Sequence, residues 1–200
     1  MWERIRRYLL NRITLSGIGE NGVAITRDVR WTGYSVAKDQ EERASRLAAL
    51  CSEAVTNPAW VAHDITGDGK NETFCNRMVR FICQGMGCFQ WGPNDSANHI
   101  LSVMEKDPQW RRIPISDVSK EAQKGRLVVL GCREDGHGHV VCGTPQNEQE
   151  GSWGLVPIVA HVGGLKEDGT PSNGLIRLSQ AFRKEQQARI RAYKWEDPTL

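Results

Sequence analysis

The sequence predicts an α+β fold on three observations. Helical apolar periodicities predominate as far as Lys124, alternating strand patterns follow, and Gly-rich turns join those strands closely enough for antiparallel pairing. No internal repeat or low-complexity linker interrupts it. One domain is therefore expected, with residues 1–60 as a helical and hairpin elaboration packed on a core of residues 61–200.

Residues 1–12 read as a short amphipathic helix, with Ile5, Leu9 and Ile13 at i, i+4 spacing. The Gly- and Asn-punctuated residues 16–22 read as a turn or small hairpin leading into residues 23–26. A helix over 40–56 places Ala44, Leu47, Leu50, Cys51 and Val55 on one side and stops at Asn57-Pro58. A polar loop, residues 64–71, then leads to a helix from about Cys75, with Thr73 as N-cap, an inward stripe of Cys75, Val79, Ile82 and Met86, and Gly85 and Gly87 at its exit. Helices are expected over 96–105, with Ile100, Leu101 and Met104 apolar, and over 118–124.

Strands are expected over 126–130 and 139–142, joined as a hairpin, and over 154–162, where Pro157 argues for an edge or a strand start. Residues 176–182 fit either helix or strand, and 188–195 alternate as a closing strand.

Composition narrows the function. A net charge of +2 gives no electrostatic reason to expect nucleic acid as a partner, and the basic residues near both ends read as solvated faces. No apolar run approaches the ~20 residues of a membrane span. Residues 1–10 lack the ~7–15-residue apolar region of a signal peptide, so the chain is expected to be made in the cytoplasm. Six cysteines are too sparse for a disulfide scaffold and lack paired zinc spacing; reduced thiols are the default, with one disulfide from Cys132 or Cys142 left open.

Two segments carry chemistry. Cys75 stands at the head of an apolar helix, among unpaired backbone N–H groups and the positive end of the helix dipole, which favour a thiolate. Far downstream, Gly136-His137-Gly138-His139-Val140-Val141 sets an imidazole at the mouth of a strand, where it can act as base towards such a thiol. Cys83, deeper in the same helix, reads as an ordinary buried cysteine. A third residue should orient the His139 ring, and His161 on the following strand is the choice over Asn173, Gln180 and Asp135. The oxyanion donors expected are the Cys75 backbone N–H and Asn71.

Metal readings are weaker. His137 and His139, even with Cys132 or Cys142, lack a second spaced pair of ligands. Asp64, Thr66, Asp68 and Gly69 match the start of a calcium loop, but Cys75 occupies the position of its obligatory Glu, so an intact EF-hand is rejected and only an irregular calcium site survives. Trp60, Trp91, Trp110 and Trp153 fall in or beside loops, where they either line a groove or pack.

Taken in order, Cys75-Asn76-Arg77-Met78-Val79-Arg80-Phe81-Ile82 with Met86-Gly87, Asn94-Asp95-Ser96-Ala97-Asn98, Glu121 through Gly131, and Gly138-His139-Val140-Val141 form a pattern. It resembles the NlpC-type papain-like cysteine amidases, and more closely the family 1 peptidoglycan amidase effectors of type VI secretion systems and related phage cell-wall hydrolases. The resemblance covers residues 71–141, with a looser continuation through Trp153-Gly154 and His161. It implies a papain-like core with Cys75 as nucleophile and His139 as base on a groove floor. It also implies peptidoglycan stem peptides as substrate, no cofactor, action in the periplasm or cell wall after secretion or lysis, and an immunity protein as partner. The chain departs from the pattern at Asn76, where relatives carry a small residue, and in its first 60 residues. Two other functions stay open: a cysteine peptidase or deamidase acting on protein, and a non-enzymatic binding module stabilised by calcium or another metal.

Overall fold

The computed structural model describes residues 13–18, 24–29, 40–65, 67 and 72–197. The chain divides into two compact units, residues 1–38 and 39–200. In the first, β1 (Ile13–Ile18) and β2 (Ala24–Val29) form an antiparallel hairpin registered from Ile13↔Val29 to Ile18↔Ala24. Gly17, expected within the turn, pairs with Ile25 in the ladder instead. The helix expected over 1–12 lies outside the described residues.

The second unit is α+β. Its first helix, α1 (Gln40–Thr56), buries Arg43, Leu47, Leu50, Cys51 and Ala54, so the inward stripe runs slightly off the expected one, with Ala44 and Val55 at its margin. Arg43 pairs with Asp197 at 2.9 Å, tying this helix to the end of the described chain.

The next helix, α2 (Cys75–Gly85), is apolar on most of its circumference and packs against both α1 and the sheet. It ends in a Schellman motif: the Cys88 N–H reaches the Cys83 carbonyl at 2.8 Å, the Gly87 N–H reaches that of Gln84 at 3.0 Å, and Gly87 supplies the left-handed residue with φ 92°. Gly85 does something different. A Cβ there would drive into Leu50, so its bareness sets how closely α2 approaches α1.

Then come α3 (Ala97–Lys106), capped by Ser96 Oγ accepting the His99 N–H at 3.2 Å, the edge strand β3 (Trp110–Ile113), and α4 (Val118–Gln123). The remaining elements are β4 (Val128–Cys132), β5 (His139–Gly143), a separate ribbon of β6 (Gln149–Gly151) and β7 (Gly154–Val156), β8 (Ile158–His161), β9 (Gly174–Arg177), the single turn α5 (Leu178–Ala181) and β10 (Arg191–Trp195).

The main sheet is antiparallel in the order β3-β10-β4-β5-β8-β9, with the closing strand β10 inserted between β3 and β4. Strands β4 and β8 are buried along their whole length, which explains their nearly continuous apolar runs. One side of the sheet carries Val128, Leu130, Cys132, Val141, Val159, Leu178 and Phe182 as a core cluster. On the other, Leu101 of α3 lies against Gly131, and Cys142 meets the thiol of Cys51 from α1.

Pro157 splits the strand expected over 154–162. Residues 154–156 pair in the ribbon, whereas β8 joins the main sheet, and the Pro157 carbonyl accepts the Leu178 N–H at 2.9 Å. The ambiguous stretch 176–182 also divides, into the end of β9 and α5. All six cysteines are free. Among the described residues no helix is long and apolar enough to cross a membrane.

Candidate active site

Cys75 is the first residue of α2, and the N-cap before it is Phe74, which makes no side-chain cap. Thr73 was the expected cap; its hydroxyl instead hydrogen-bonds the Cys75 sulfur. The backbone amides of Val140, Asn76 and Cys75 itself also act on the sulfur in favour of its thiolate. Val140 is the residue after His139, so the thiol reaches the sheet at the start of β5. Asn76 anchors this first turn, its Nδ2 donating to the Asp95 carbonyl at 2.8 Å.

The thiolate expected from the helix dipole is not the resting form. Only 4 % of Cys75 is exposed, and burial pushes its pKa up despite the donors from Val140, Asn76, Cys75 and Thr73. The local field has the expected sign, and desolvation outweighs it.

Strands β5 and β8 pair through Cys142↔Ala160 and Gly143↔Val159, which brings His139 and His161 to one end of the sheet. His139 Nε2 lies 3.1 Å from His161 Nδ1, with the rings edge to face at 5.0 Å between centroids. Phe182 packs edge to face on the His139 ring, also at 5.0 Å. Burial and the neighbouring His161 push His139 down to about 3, and burial pushes His161 down to about 4. Both imidazoles are therefore neutral at pH 7. With Nε2 engaged by His161, Nδ1 is the other nitrogen of His139 available to a partner.

The loop ahead of His139 is locked from α3. Asn98 Nδ2 donates to the Glu134 carbonyl at 2.8 Å and to that of Gly136 at 3.2 Å. Gly138 has φ +63°, and a side chain there would collide with Asn98 Oδ1. An open cavity of about 640 Å³ beside this loop is lined by Asn98, Arg133, Glu134, Asp135, Arg183 and Arg189. Its arginines are already paired, Arg133 with Glu105 at 2.6 Å, and Arg183 and Arg189 with Glu134 at 2.8 and 3.7 Å.

The other expected residues fall as follows. Asn71 lies outside the described residues, as do Thr66, Asp68 and Gly69 of the calcium-like loop. Asp64 Oδ1 accepts the Gly67 N–H at 2.6 Å, the role of a turn former. Asn173 bonds the Trp60 carbonyl and the Gly163 N–H, Gln180 serves Arg177, and His137 and Asp135 are exposed. Trp60, Trp91 and Trp110 are buried packing residues, Trp60 against Phe81 and Trp91 against Trp110. Among the described residues no three His, Cys, Asp or Glu side chains gather as a metal set. Three neighbours of the site escaped sequence reasoning, namely Thr73 as a donor to sulfur, Phe182 and Ser172. Each is remote from its partner's motif or of a residue type with no distinctive spacing.

No family model and no curated protein matches the chain.

Proposed function

We propose that the chain is a cysteine hydrolase with a papain-like, NlpC-type core, an amidase or endopeptidase that cuts amide bonds in peptidoglycan stem peptides. One observation carries the reading: α2 packs on β5, where the Val140 amide acts on the Cys75 sulfur one residue beyond a histidine whose Nε2 is already engaged by His161. A thiol, a base and an orienting group at one strand end are the parts nucleophilic acyl transfer requires.

The resting pair is a neutral thiol and a neutral imidazole, so proton transfer accompanies attack. As the sulfur bonds to the amide carbon, its proton passes to His139 Nδ1. The Cys75 N–H, in the first turn of α2, then serves as donor to the developing oxyanion. His139 then protonates the leaving amine, the C–N bond breaks and a thioester remains. Water attacks the thioester, giving up a proton to His139, and the carboxylic acid leaves as the thiol re-forms. No cofactor is required.

The stem-peptide substrate rests on the resemblance over residues 71–141, as do delivery to the periplasm or cell wall and an immunity protein. The test is mass spectrometry of purified peptidoglycan digested with wild type, Cys75→Ala and His139→Ala. Fragments are expected from wild type alone; equal release by all three would discard the mechanism. Cleavage of casein without release of wall fragments would move the substrate to protein.

A further inference from the structure

We infer that Ser172 is a positioning residue that sets the tautomer of His161 and, through it, that of His139. The catalytic consequence rests on the reading of Cys75 and His139 as nucleophile and base, but the proton assignment itself does not. Ser172 Oγ lies 2.8 Å from the Gly164 carbonyl and 3.5 Å from His161 Nε2. A carbonyl only accepts, and a hydroxyl has one proton, so the shorter contact takes that proton. Towards His161 the Ser172 oxygen is then an acceptor, and His161 must carry its proton on Nε2.

The rest follows ring by ring. A neutral imidazole protonated on Nε2 presents a lone pair at Nδ1. His161 Nδ1 faces His139 Nε2 at 3.1 Å, so His139 is the donor in that bond and is also protonated on Nε2. Its Nδ1 is left with a lone pair, the form a base for Cys75 needs. Gly164 O, Ser172, His161 and His139 thus make one directed chain that begins at a backbone carbonyl unable to reverse it. Gly163 makes room for it, since a Cβ there would collide with both His161 Nε2 and Ser172 Oγ. The Gly164 carbonyl also accepts the Ser172 N–H at 3.0 Å, fixing the hydroxyl's host residue.

The experiment is long-range ¹H–¹⁵N correlation on the full ¹⁵N-labelled chain at pH 7, which reads the tautomer of each histidine directly. Wild type, Ser172→Ala and Ser172→Thr are compared, with kcat and KM for fragment release measured alongside. Both rings of the wild type should be protonated on Nε2. Ser172→Ala should lower the Nε2-protonated share of both rings and reduce kcat about tenfold with little change in KM, because only the correctly protonated fraction can act as base. Ser172→Thr keeps a hydroxyl and should restore the wild-type pattern and rate. Protonation of wild-type His161 on Nδ1 overturns the inference, as does a Ser172→Ala chain whose rings keep the wild-type pattern. If the tautomers are as expected but wild type releases no wall fragments, the hydrolase reading fails and the assignment of Ser172 stands.

Discussion

The two ends of α2 hold two cysteines in opposite surroundings. Cys75, in the first turn, is met by donors: three backbone N–H groups and the Thr73 hydroxyl all act against the effect of burial. Cys83, in the last turns, is met by other thiols. Burial raises its pKa, and so do the side chain of Cys88 and the neighbouring Cys142 and Cys51, until it stands well above an ordinary thiol. The Schellman turn explains part of this, since it folds the residue after Gly87 back onto Cys83. Both sulfurs are buried on one helix, so burial alone does not separate them. What separates them is the end of the helix each occupies, because free N–H groups belong to the first turn and not to the last, and the start of β5 adds the Val140 amide there.

The largest expected contrast is in activity. Cys75→Ala should lower fragment release by about a thousandfold or more, since it removes the attacking atom. Cys83→Ala should leave release within about threefold while costing roughly 1–3 kcal/mol of stability through the space left in a packed core. Parallel mass spectrometry and urea denaturation measure the two effects. A silent Cys83→Ala chain of wild-type stability would erase the distinction, as would an active Cys75→Ala chain.

Next in size is the response to acid. His139 and His161 titrate at about 3 and about 4 when folded, below the ordinary histidine value near 6.5. Between those values the unfolded chain binds protons that the folded chain refuses. The contribution of these rings is therefore fully present above pH 6.5 and is lost as pH falls towards 4 and then 3. With both rings contributing, stability should fall by up to about 2.7 kcal/mol per pH unit within that window. Urea midpoints at pH 7, 6 and 5 test it. His161→Asn should flatten the dependence by about one proton, whereas Cys83→Ala should not alter it, and a wild-type midpoint constant from pH 7 to 5 would contradict buried neutral rings. The same shift keeps the base unprotonated, so the acid limb of kcat/KM should lie below pH 5.

Local pattern and tertiary context contributed unequally to what could be read from the chain. The apolar run of α2, its Gly87 exit and the helix expected over 96–105 are local, and each is present in the structure. The edge strand β3 left no trace, because Trp110-Arg111-Arg112-Ile113 buries only its tryptophan and draws its identity from pairing with β10. Strand β8 was blurred into the ribbon because Val156-Pro157-Ile158 is apolar throughout. At the site, the helix-end field on Cys75 could be inferred from position, but the burial that outweighs it depends on β5, which is remote in sequence. Ser172 meets His161 through the turn around Gly163 and Gly164, and Pro171-Ser172-Asn173 reads like any other polar loop.

The smallest effect concerns a single donor. Thr73→Val keeps the shape of the side chain and removes the hydroxyl that bonds the Cys75 sulfur. One such hydrogen bond is worth about 0.5–1.5 kcal/mol, so thiolate at Cys75 should become scarcer by about twofold to tenfold. Alkylation by iodoacetamide at pH 8, followed peptide by peptide in the native protein, reports this directly, because the rate tracks the thiolate. Cys75 should label before the other five cysteines in wild type and more slowly in Thr73→Val, while Cys83 stays unlabelled in both. Faster labelling of Cys83 than of Cys75 would mean that helix-end donors do not decide which thiol reacts. An unchanged rate in Thr73→Val would leave the three backbone N–H groups as the donors that matter.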